Sequence, residues 1–336
     1  MTRTVVHALI VATLFPATAT VATSPASAQE MKAVDIKEYP VPWGAQTRPR
    51  DPYVGPDGKV WFVGQQGNYV AFFDPDTEQF RQFELEEGTF PHNLVVDERG
   101  VWYAGNRNAR VGRLDPATGE FEIFPMPDPA ARDPHTLVLH PDGTLWFTVQ
   151  NGAFIGHLDP VAKQTHLIKM PDRSRPYGIK LDAQGNPWVV LFGTNRMVKI
   201  DHGTHEVTSV DLPAPEARPR RIAITPDQRV WWVDYALGQL GAYDPKTGQS
   251  RTWDSPGGAR SQPYAMDVDD RGRIWYVEGG SPNHFVGFDP ATESFISNTP
   301  LPSGGGTVRH MMFDPRTRQI WFGTDTGNIG RAVVPQ

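Results

Sequence analysis

The chain has 336 residues, a formal net charge of −6, ten histidines and no cysteine. The acidic balance argues against a nucleic-acid partner, which requires a basic face, and the absence of cysteine excludes disulfides and cysteine-based metal sites. The sequence also lacks a phosphate-cradling glycine motif and a Gly-x-Ser-x-Gly motif, so nucleotide binding and nucleophilic serine catalysis are not expected.

The first element in chain order is a predicted signal peptide over residues 1–28. Arg3 precedes an apolar run over residues 5–15, and small residues at 26–28 provide a cleavage site. The apolar run is too short to span a bilayer. We therefore expect a periplasmic or secreted protein without membrane insertion after cleavage, in which residues 29–336 form a single domain.

Seven tryptophans recur at nearly constant spacing and define the repeat of the chain. They are Trp61, Trp102, Trp146, Trp188, Trp231, Trp275 and Trp321. The spacing ranges from 41 residues (Trp61 to Trp102) to 46 residues (Trp275 to Trp321). Repeats of about 40 to 50 residues are typical of propellers and related repeat architectures.

Each repeat contains signals for four short strands separated by turns. In the third repeat, a turn over residues 141–143 leads into the strand of Trp146, and residues 155–158 end at an Asp-Pro turn. A further short run over residues 165–168 completes the repeat. The pattern predicts an all-β fold, a seven-bladed β-propeller of four-stranded antiparallel blades.

The two ends of the chain complement each other. The last repeat stops after its third strand, at residues 329–334, and residues 34–40 resemble a fourth strand that precedes any first strand. We expect these two strands to pair and close the ring. Closure covers both sheet edges, so we also expect a monomer.

The first strand of each blade lines the central channel of a propeller, and its first residues lie at the channel mouth, where ligands bind. None of the residues predicted to face the mouth is aliphatic, which favours a polar pocket over packing between blades. We predict that the catalytic residues are His310, His135, His92 and Tyr264, and that the substrate-binding residues are Arg50, Tyr177, Arg220 and Arg309.

Acidic residues near the same mouth are candidate ligands for a divalent cation. Glu278 and Asp325 come at the ends of the strands begun by Trp275 and Trp321, and Asp133 precedes the Pro-His pair of the third repeat. Carboxylate oxygens are suitable ligands for such an ion. The alternative is that these carboxylates are solvated strand ends or partners of nearby arginines.

The combined pattern resembles the virginiamycin B lyase family. It consists of a proline followed by a polar residue, then Pro-Asp-Gly, then Trp-Phe-Thr, then Ile-Gly-x-Leu-Asp-Pro, and it covers essentially the whole mature chain. The resemblance implies a seven-bladed propeller. It also implies magnesium-dependent elimination that linearises a cyclic depsipeptide without water, and therefore a divalent metal, Mg²⁺, as cofactor.

The family's site, as the resemblance implies, uses a histidine in blade six, a Glu-Pro-His sequence in blade seven and a glutamate at the end of the next strand. This chain has Tyr264 at the first position and Val308-Arg309-His310 at the second, so His310 is kept as a candidate base. Asp325 lies near the position of the glutamate. Val308 cannot bind a metal, so one expected ligand is absent.

These residue types suit elimination across an ester or glycosidic C–O bond next to a carbonyl or carboxylate. Histidine supplies a base near neutral pH, arginine or a metal stabilises the developing enolate, and tyrosine protonates the leaving oxygen. The arginines favour an anionic or ester-containing substrate, either a small molecule or an oligosaccharide. The sequence therefore favours an exported carbon–oxygen lyase.

Two other functional classes stay open. A metal-dependent lactonase or other hydrolase would use a channel metal to activate water, and it would favour several inward-facing Asp, Glu and Asn residues. A non-catalytic propeller would act as a periplasmic binding or scaffold module, because a fold alone does not establish an activity.

Overall fold

The structure is a computed structural model that describes residues 31–335, so the predicted signal peptide lies outside the described residues. The described residues form seven four-stranded antiparallel sheets, which are the blades of a ring. The predicted seven-bladed β-propeller is confirmed. Within residues 31–335, no helix is long and apolar enough to cross a membrane.

The strands follow each other from the channel outward in each blade. The closing strand and blades one to three are β1 (Asp35–Pro40), β2 (Pro49–Val54), β3 (Val60–Gly64), β4 (Tyr69–Asp74), β5 (Gln79–Glu84), β6 (Pro91–Asp97), β7 (Gly100–Gly105), β8 (Arg110–Leu114), β9 (Phe121–Pro125), β10 (Pro134–Leu139), β11 (Leu145–Val149), β12 (Phe154–Asp159) and β13 (Gln164–Lys169). Blades four to seven are β14 (Pro176–Leu181), β15 (Pro187–Leu191), β16 (Arg196–Ile200), β17 (Val207–Asp211), β18 (Pro219–Ile224), β19 (Val230–Asp234), β20 (Gln239–Asp244), β21 (Gln249–Asp254), β22 (Met266–Val268), β23 (Ile274–Glu278), β24 (His284–Asp289), β25 (Ser294–Pro300), β26 (Val308–Asp314), β27 (Gln319–Thr324) and β28 (Asn328–Val333). Two short 3-10 helices lie outside the blades, at Ala45–Thr47 and Gly258–Arg260.

The N-terminal strand closes the ring, as predicted. Strand β1 pairs antiparallel with β28, with Ile36 opposite Ala332 and Tyr39 opposite Ile329, and gives blade seven its fourth strand. The ring of Tyr39 lies 4.5 Å from that of Phe73 in blade one, measured between centroids. The same strand therefore completes the last blade and packs it against the first.

The repeated tryptophans form the core between neighbouring blades, and all seven are buried. Four of their indole N–H groups also donate hydrogen bonds, those of Trp102, Trp188, Trp231 and Trp275. Trp102 donates to Asp97 at 3.0 Å and Trp275 donates to Asp269 at 2.9 Å, so the residue that opens the turn before the strand also satisfies the indole. The sequence repeat thus encodes both apolar burial and a buried hydrogen bond.

The third strand of most blades has a glycine because an aromatic ring of the neighbouring strand packs directly against it. A Cβ atom at Gly156 would lie 2.1 Å from the ring of Phe147, and a Cβ at Gly112 would lie 2.2 Å from the ring of Tyr103. We expect Gly156→Ala to lower the free energy of unfolding by about 1–3 kcal/mol, because the ring has to move. Urea denaturation measures this effect. Gly203→Ala is the control, since its nearest neighbour would be an ordinary contact at 3.6 Å, and equal losses in both variants would contradict the packing argument.

Candidate functional site

Bulges in the inner strands place polar side chains in the channel. In blade three, Pro134 pairs with Val149 and Leu137 pairs with Phe147, so two residues of β10 lie opposite one residue of β11. The inner strands of blades one, two, four, five and seven shift register at the corresponding point. A bulge turns side chains away from the regular alternation of a strand, and here it turns them toward the axis.

Asp51 is the centre of a polar layer that fills the channel. Its side chain is fully buried, and its carboxylate accepts hydrogen bonds from Arg50 at 2.9 Å, Arg221 at 3.2 Å and Asn93 at 3.0 Å. Burial by itself raises the pKa of a carboxyl, but Arg50 and Arg221 outweigh it and hold the pKa of Asp51 well below its usual range. The carboxylate is therefore charged and fully paired.

Arg221 connects this layer across the channel. It donates to the Thr136 hydroxyl at 3.1 Å and to the Arg309 carbonyl oxygen at 2.8 Å, in addition to Asp51. The sequence predicted one mouth residue in each of blades one to six and the pair Arg309 and His310 in blade seven. It did not predict Asp51 and Arg221, which directly follow Arg50 and Arg220. The signal was present as Arg-Asp and Arg-Arg pairs in the inner strands.

Two predicted histidines lie in contact inside the channel, with their rings tilted by 36° relative to each other. The rings of His92 and His135 lie 3.5 Å apart between centroids, and His135 lies 4.2 Å from Tyr177. Both histidines are buried. Burial and the neighbouring arginines lower the pKa of each histidine well below its ordinary value, so both rings are neutral near pH 7.

Three channel histidines with lowered pKa values should cause a loss of stability in mild acid. His92, His135 and His310 have lowered pKa values in the folded protein, chiefly through burial, whereas an unfolded histidine titrates near about 6.5. Below that pH the unfolded chain binds more protons, so stability falls by up to about 1.4 kcal/mol per pH unit for each group. Urea denaturation at about pH 7.5 and about pH 5.5 measures this slope. A His92→Gln variant should show a shallower slope, and equal stability of the wild type at both pH values would contradict the prediction.

Tyr264 lies against a positive charge. The guanidinium of Arg220 lies 3.6 Å from the centroid of the Tyr264 ring, and the Tyr264 hydroxyl hydrogen-bonds with the Tyr177 hydroxyl. Burial opposes ionisation of both phenols, but Arg220 and two further arginines outweigh it at Tyr264 and lower its pKa. Burial and the neighbouring Tyr264 raise the pKa of Tyr177 to about 12. The two phenols are therefore chemically distinct, with Tyr264 the more acidic.

Open clefts adjoin this pair at the channel mouth. A cleft of about 590 Å³ is lined by three arginines, Arg173, Arg175 and Arg218, together with Phe192. The Phe192 ring lies 4.8 Å from the Arg220 guanidinium, so the cleft reaches the side chain that faces Tyr264. A smaller cleft of about 70 Å³ is lined by Tyr264 itself, with Tyr235, Glu278, Asn283 and Val308.

The two predicted residues of blade seven point to different places. Arg309 forms an ion pair with Asp325, with one N–O distance of 2.7 Å. His310 instead lines a cavity of about 370 Å³ formed by later residues of the inner strands, farther along the channel from the mouth. Lys180 and Asp267 pair at 3.0 Å in the same cavity.

The three predicted metal ligands are each engaged elsewhere. Asp133 accepts hydrogen bonds from the backbone N–H groups of Asn151 at 2.7 Å and Gly152 at 3.0 Å. Glu278 accepts one from the Gly257 N–H at 3.0 Å, and Asp325 binds Arg309. Burial raises the pKa of both Asp133 and Glu278. Among residues 31–335, these carboxylates do not come together as a set of three ligands, so this donor set does not fit a magnesium ion.

The comparisons with known proteins agree with this architecture. The sequence profile of the Virginiamycin B lyase family matches residues 34–332. The chain belongs to the virginiamycin B lyase family. A comparison with curated protein sequences finds no match.

Solved structures of this family share the fold. A streptogramin B lyase structure is 22% identical with a TM-score of 0.80, and the match covers 89% of this chain and 97% of that one. Virginiamycin B lyase from Staphylococcus aureus is 20% identical with a TM-score of 0.81 and coverage of 90% and 100%. A catalytically inactive form of the S. aureus enzyme with quinupristin is 21% identical, with the same TM-score and coverage. At these identities the similarity establishes the propeller fold.

Proposed function

We propose that the protein is an exported carbon–oxygen lyase that acts on a carboxylated, anionic substrate at the channel mouth. The observation that carries the proposal is the contact of Arg220 with Tyr264, next to a cleft lined by three further arginines. The guanidinium groups suit a carboxylate or a uronate, and the acidified phenol suits proton transfer. Membership of a lyase family supports the reaction class.

Elimination requires a base, a proton donor and stabilisation of negative charge. In the proposed reaction, the Tyr264 phenolate removes the proton from the carbon next to the substrate carboxylate. The electron pair of that C–H bond forms the new C=C bond as the C–O bond breaks. The Tyr264 hydroxyl then returns the proton to the leaving oxygen, so one group serves both steps.

The other channel residues hold this arrangement in place. Arg220 supplies positive charge to the enolate that develops on the substrate, because its guanidinium already lies against the phenol. Tyr177 donates to the Tyr264 oxygen when that oxygen is ionised, since the pKa of Tyr177 is the higher of the two. His92 and His135 are buried and neutral, and the His135 ring packs between His92 and Tyr177.

No step of this mechanism uses a metal ion, because the predicted carboxylate ligands are not gathered at the mouth. The magnesium dependence predicted from the family resemblance stays a prediction. Turnover measured with and without EDTA tests it separately from the role of Tyr264.

A substrate screen with an ultraviolet readout tests the proposed function. The mature protein is incubated with uronate oligosaccharides, carboxylated esters, lactones and cyclic depsipeptides, and the absorbance of a new C=C bond conjugated to a carbonyl is recorded. We expect turnover with a carboxylated class and weak or no turnover with its neutral analogues. Hydrolysis without a new double bond would favour the lactonase alternative.

Matched charge variants locate the substrate. Arg175→Gln removes one positive charge from the cleft, and Arg251→Gln removes one from an exposed outer strand. We expect Arg175→Gln to raise KM for the anionic substrate by about tenfold, which corresponds to about 1.4 kcal/mol of a charge-assisted contact, and Arg251→Gln to have no effect. Equal effects of the two variants would place the substrate elsewhere.

A further inference from the structure

We infer that blades three and four together form a Zn²⁺ site from His140, Asp142 and His202. This site is independent of the proposed function. His140 follows the last residue of the inner strand β10, so the site lies at the opposite end of the propeller from the channel mouth. One donor atom from each of the three side chains lies within 4.8 Å of the other two, and among residues 31–335 this is the one such group of His, Asp and Glu.

The first observation is that His140 breaks the sequence repeat at a structural position. Asp182 and Asp269 each stand six residues before a repeated tryptophan and accept its indole N–H, at 3.3 Å and 2.9 Å. Thr225 does the same for Trp231 at 3.1 Å. Blade three has His140 at this position, six residues before Trp146.

The replacement leaves two buried groups without partners. The Trp146 indole nitrogen and the His140 Nε2 atom are both buried and make no hydrogen bond. His140 is 8% exposed. Buried polar groups are normally paired, and four other blades pair this indole with an oxygen. Packing therefore does not explain why a histidine occupies the position, whereas a role for its Nδ1 atom as a metal ligand beside Asp142 does.

The second observation is that His202 breaks the repeat at a different position and meets His140. Five hairpin turns between the third and fourth strands of a blade have the sequence Asp-Pro, at 74–75, 115–116, 159–160, 244–245 and 289–290. The corresponding turn of blade four has Asp201-His202. The His202 and His140 rings lie 4.9 Å apart between centroids. Two departures from independent parts of the repeat thus bring two imidazoles to one blade boundary.

The third member of the group completes a set suited to zinc. The Asp142 Oδ1 atom lies 2.7 Å from the His140 Nδ1 atom, and its side chain is 47% exposed. Two imidazoles and a carboxylate are ordinary zinc ligands, whereas magnesium favours oxygen ligands. Because Asp142 lies at the surface, an ion can enter and water can take the remaining coordination position. A bound ion would connect the β10–β11 turn of blade three to the β16–β17 turn of blade four.

More histidines surround the group and have to be distinguished from it. The His157 Nδ1 atom lies 3.1 Å from the His205 Nε2 atom, and the His166 ring stacks on that of His205 at 4.6 Å. His157 stacks on Trp146 at 4.3 Å. His166 is exposed and is not one of the three proposed ligands, so it is the natural control for non-specific binding to surface histidines.

Zinc titration of the untagged mature protein tests the proposal. Isothermal titration with ZnCl₂ should give one site per chain, and Co²⁺ in its place should give the visible absorption of a low-symmetry nitrogen and oxygen site. His140→Asp gives blade three the aspartate that blades four and six have at this position, Asp182 and Asp269. The variant should therefore fold, and its new carboxylate should accept the Trp146 indole N–H. We expect His140→Asp and His202→Gln each to weaken zinc binding by at least about 10- to 100-fold. This is the loss that removal of an outer-shell partner of a metal ligand causes.

The controls make each outcome decisive. His166→Gln should bind zinc as the wild type does, and MgCl₂ should give no site-specific heat at this position. The melting temperature of His140→Asp in EDTA should equal or exceed that of the wild type, which shows that its loss of zinc is not a loss of fold. Absence of saturable zinc binding by the wild type, or unchanged binding by both His140→Asp and His202→Gln, would overturn the inference.

Discussion

Asp51→Asn should lower the free energy of unfolding by about 3–5 kcal/mol, the usual cost of breaking a buried ion pair on one side. The change leaves Arg50 and Arg221 buried with no carboxylate to neutralise them, although the shape of the side chain is kept. Urea denaturation at neutral pH measures the loss. Because the native carboxylate has a lowered pKa, its contribution is present at neutral pH and declines as the pH falls below about 4 toward that lowered value.

An exposed aspartate provides the control for this experiment. Asp76→Asn lies in the hairpin turn after β4, at the surface of blade one, and should change stability by less than about 0.5 kcal/mol. If Asp51→Asn were as mild as this control, the buried ion pairs of Asp51 would not stabilise the channel as described.

Tyr264→Phe should lower kcat by about 100- to 10,000-fold once a substrate is identified, the range expected for loss of a positioned proton-transfer group. The ring that stacks on Arg220 is kept and only the hydroxyl is removed, so KM should change little. The wild-type kcat should rise with pH through the lowered pKa of Tyr264, and this rise should be absent from the variant.

Tyr177→Phe is the matched control, because it removes the other hydroxyl of the same hydrogen bond. The pKa of Tyr177 is raised to about 12, so Tyr177 is not expected to exchange a proton with substrate near neutral pH. Loss of the Tyr177 hydroxyl should lower kcat much less than loss of the Tyr264 hydroxyl. Equal effects of the two variants would show that the pair acts only by supporting the channel wall.

The sequence predicted the fold well because the fold repeats. Each of the seven tryptophans marks the same strand, and the incomplete last repeat together with residues 34–40 predicted the closing strand. Strand β1 pairs with β28 in the expected way. Such features are local in sequence, so spacing alone revealed them.

The candidate site was less predictable because bulges decide where its side chains point. Arg309 and His310 were both expected at the mouth, yet only Arg309 lies there, with Asp325, and His310 lines a cavity farther along the channel. Asp51 and Arg221 belong to different blades and meet only after the ring closes. Their pairing depends on contacts between residues far apart in sequence, and no repeat spacing encodes it.

Product analysis in isotopically labelled water tests the central claim most directly. Turnover of a carboxylated substrate in water enriched in heavy oxygen is followed by mass spectrometry together with ultraviolet absorbance. Elimination at Tyr264 predicts a new conjugated double bond and no heavy oxygen in either product, with both signals lost in Tyr264→Phe. Incorporation of one heavy oxygen without a double bond would show hydrolysis and contradict the proposed reaction.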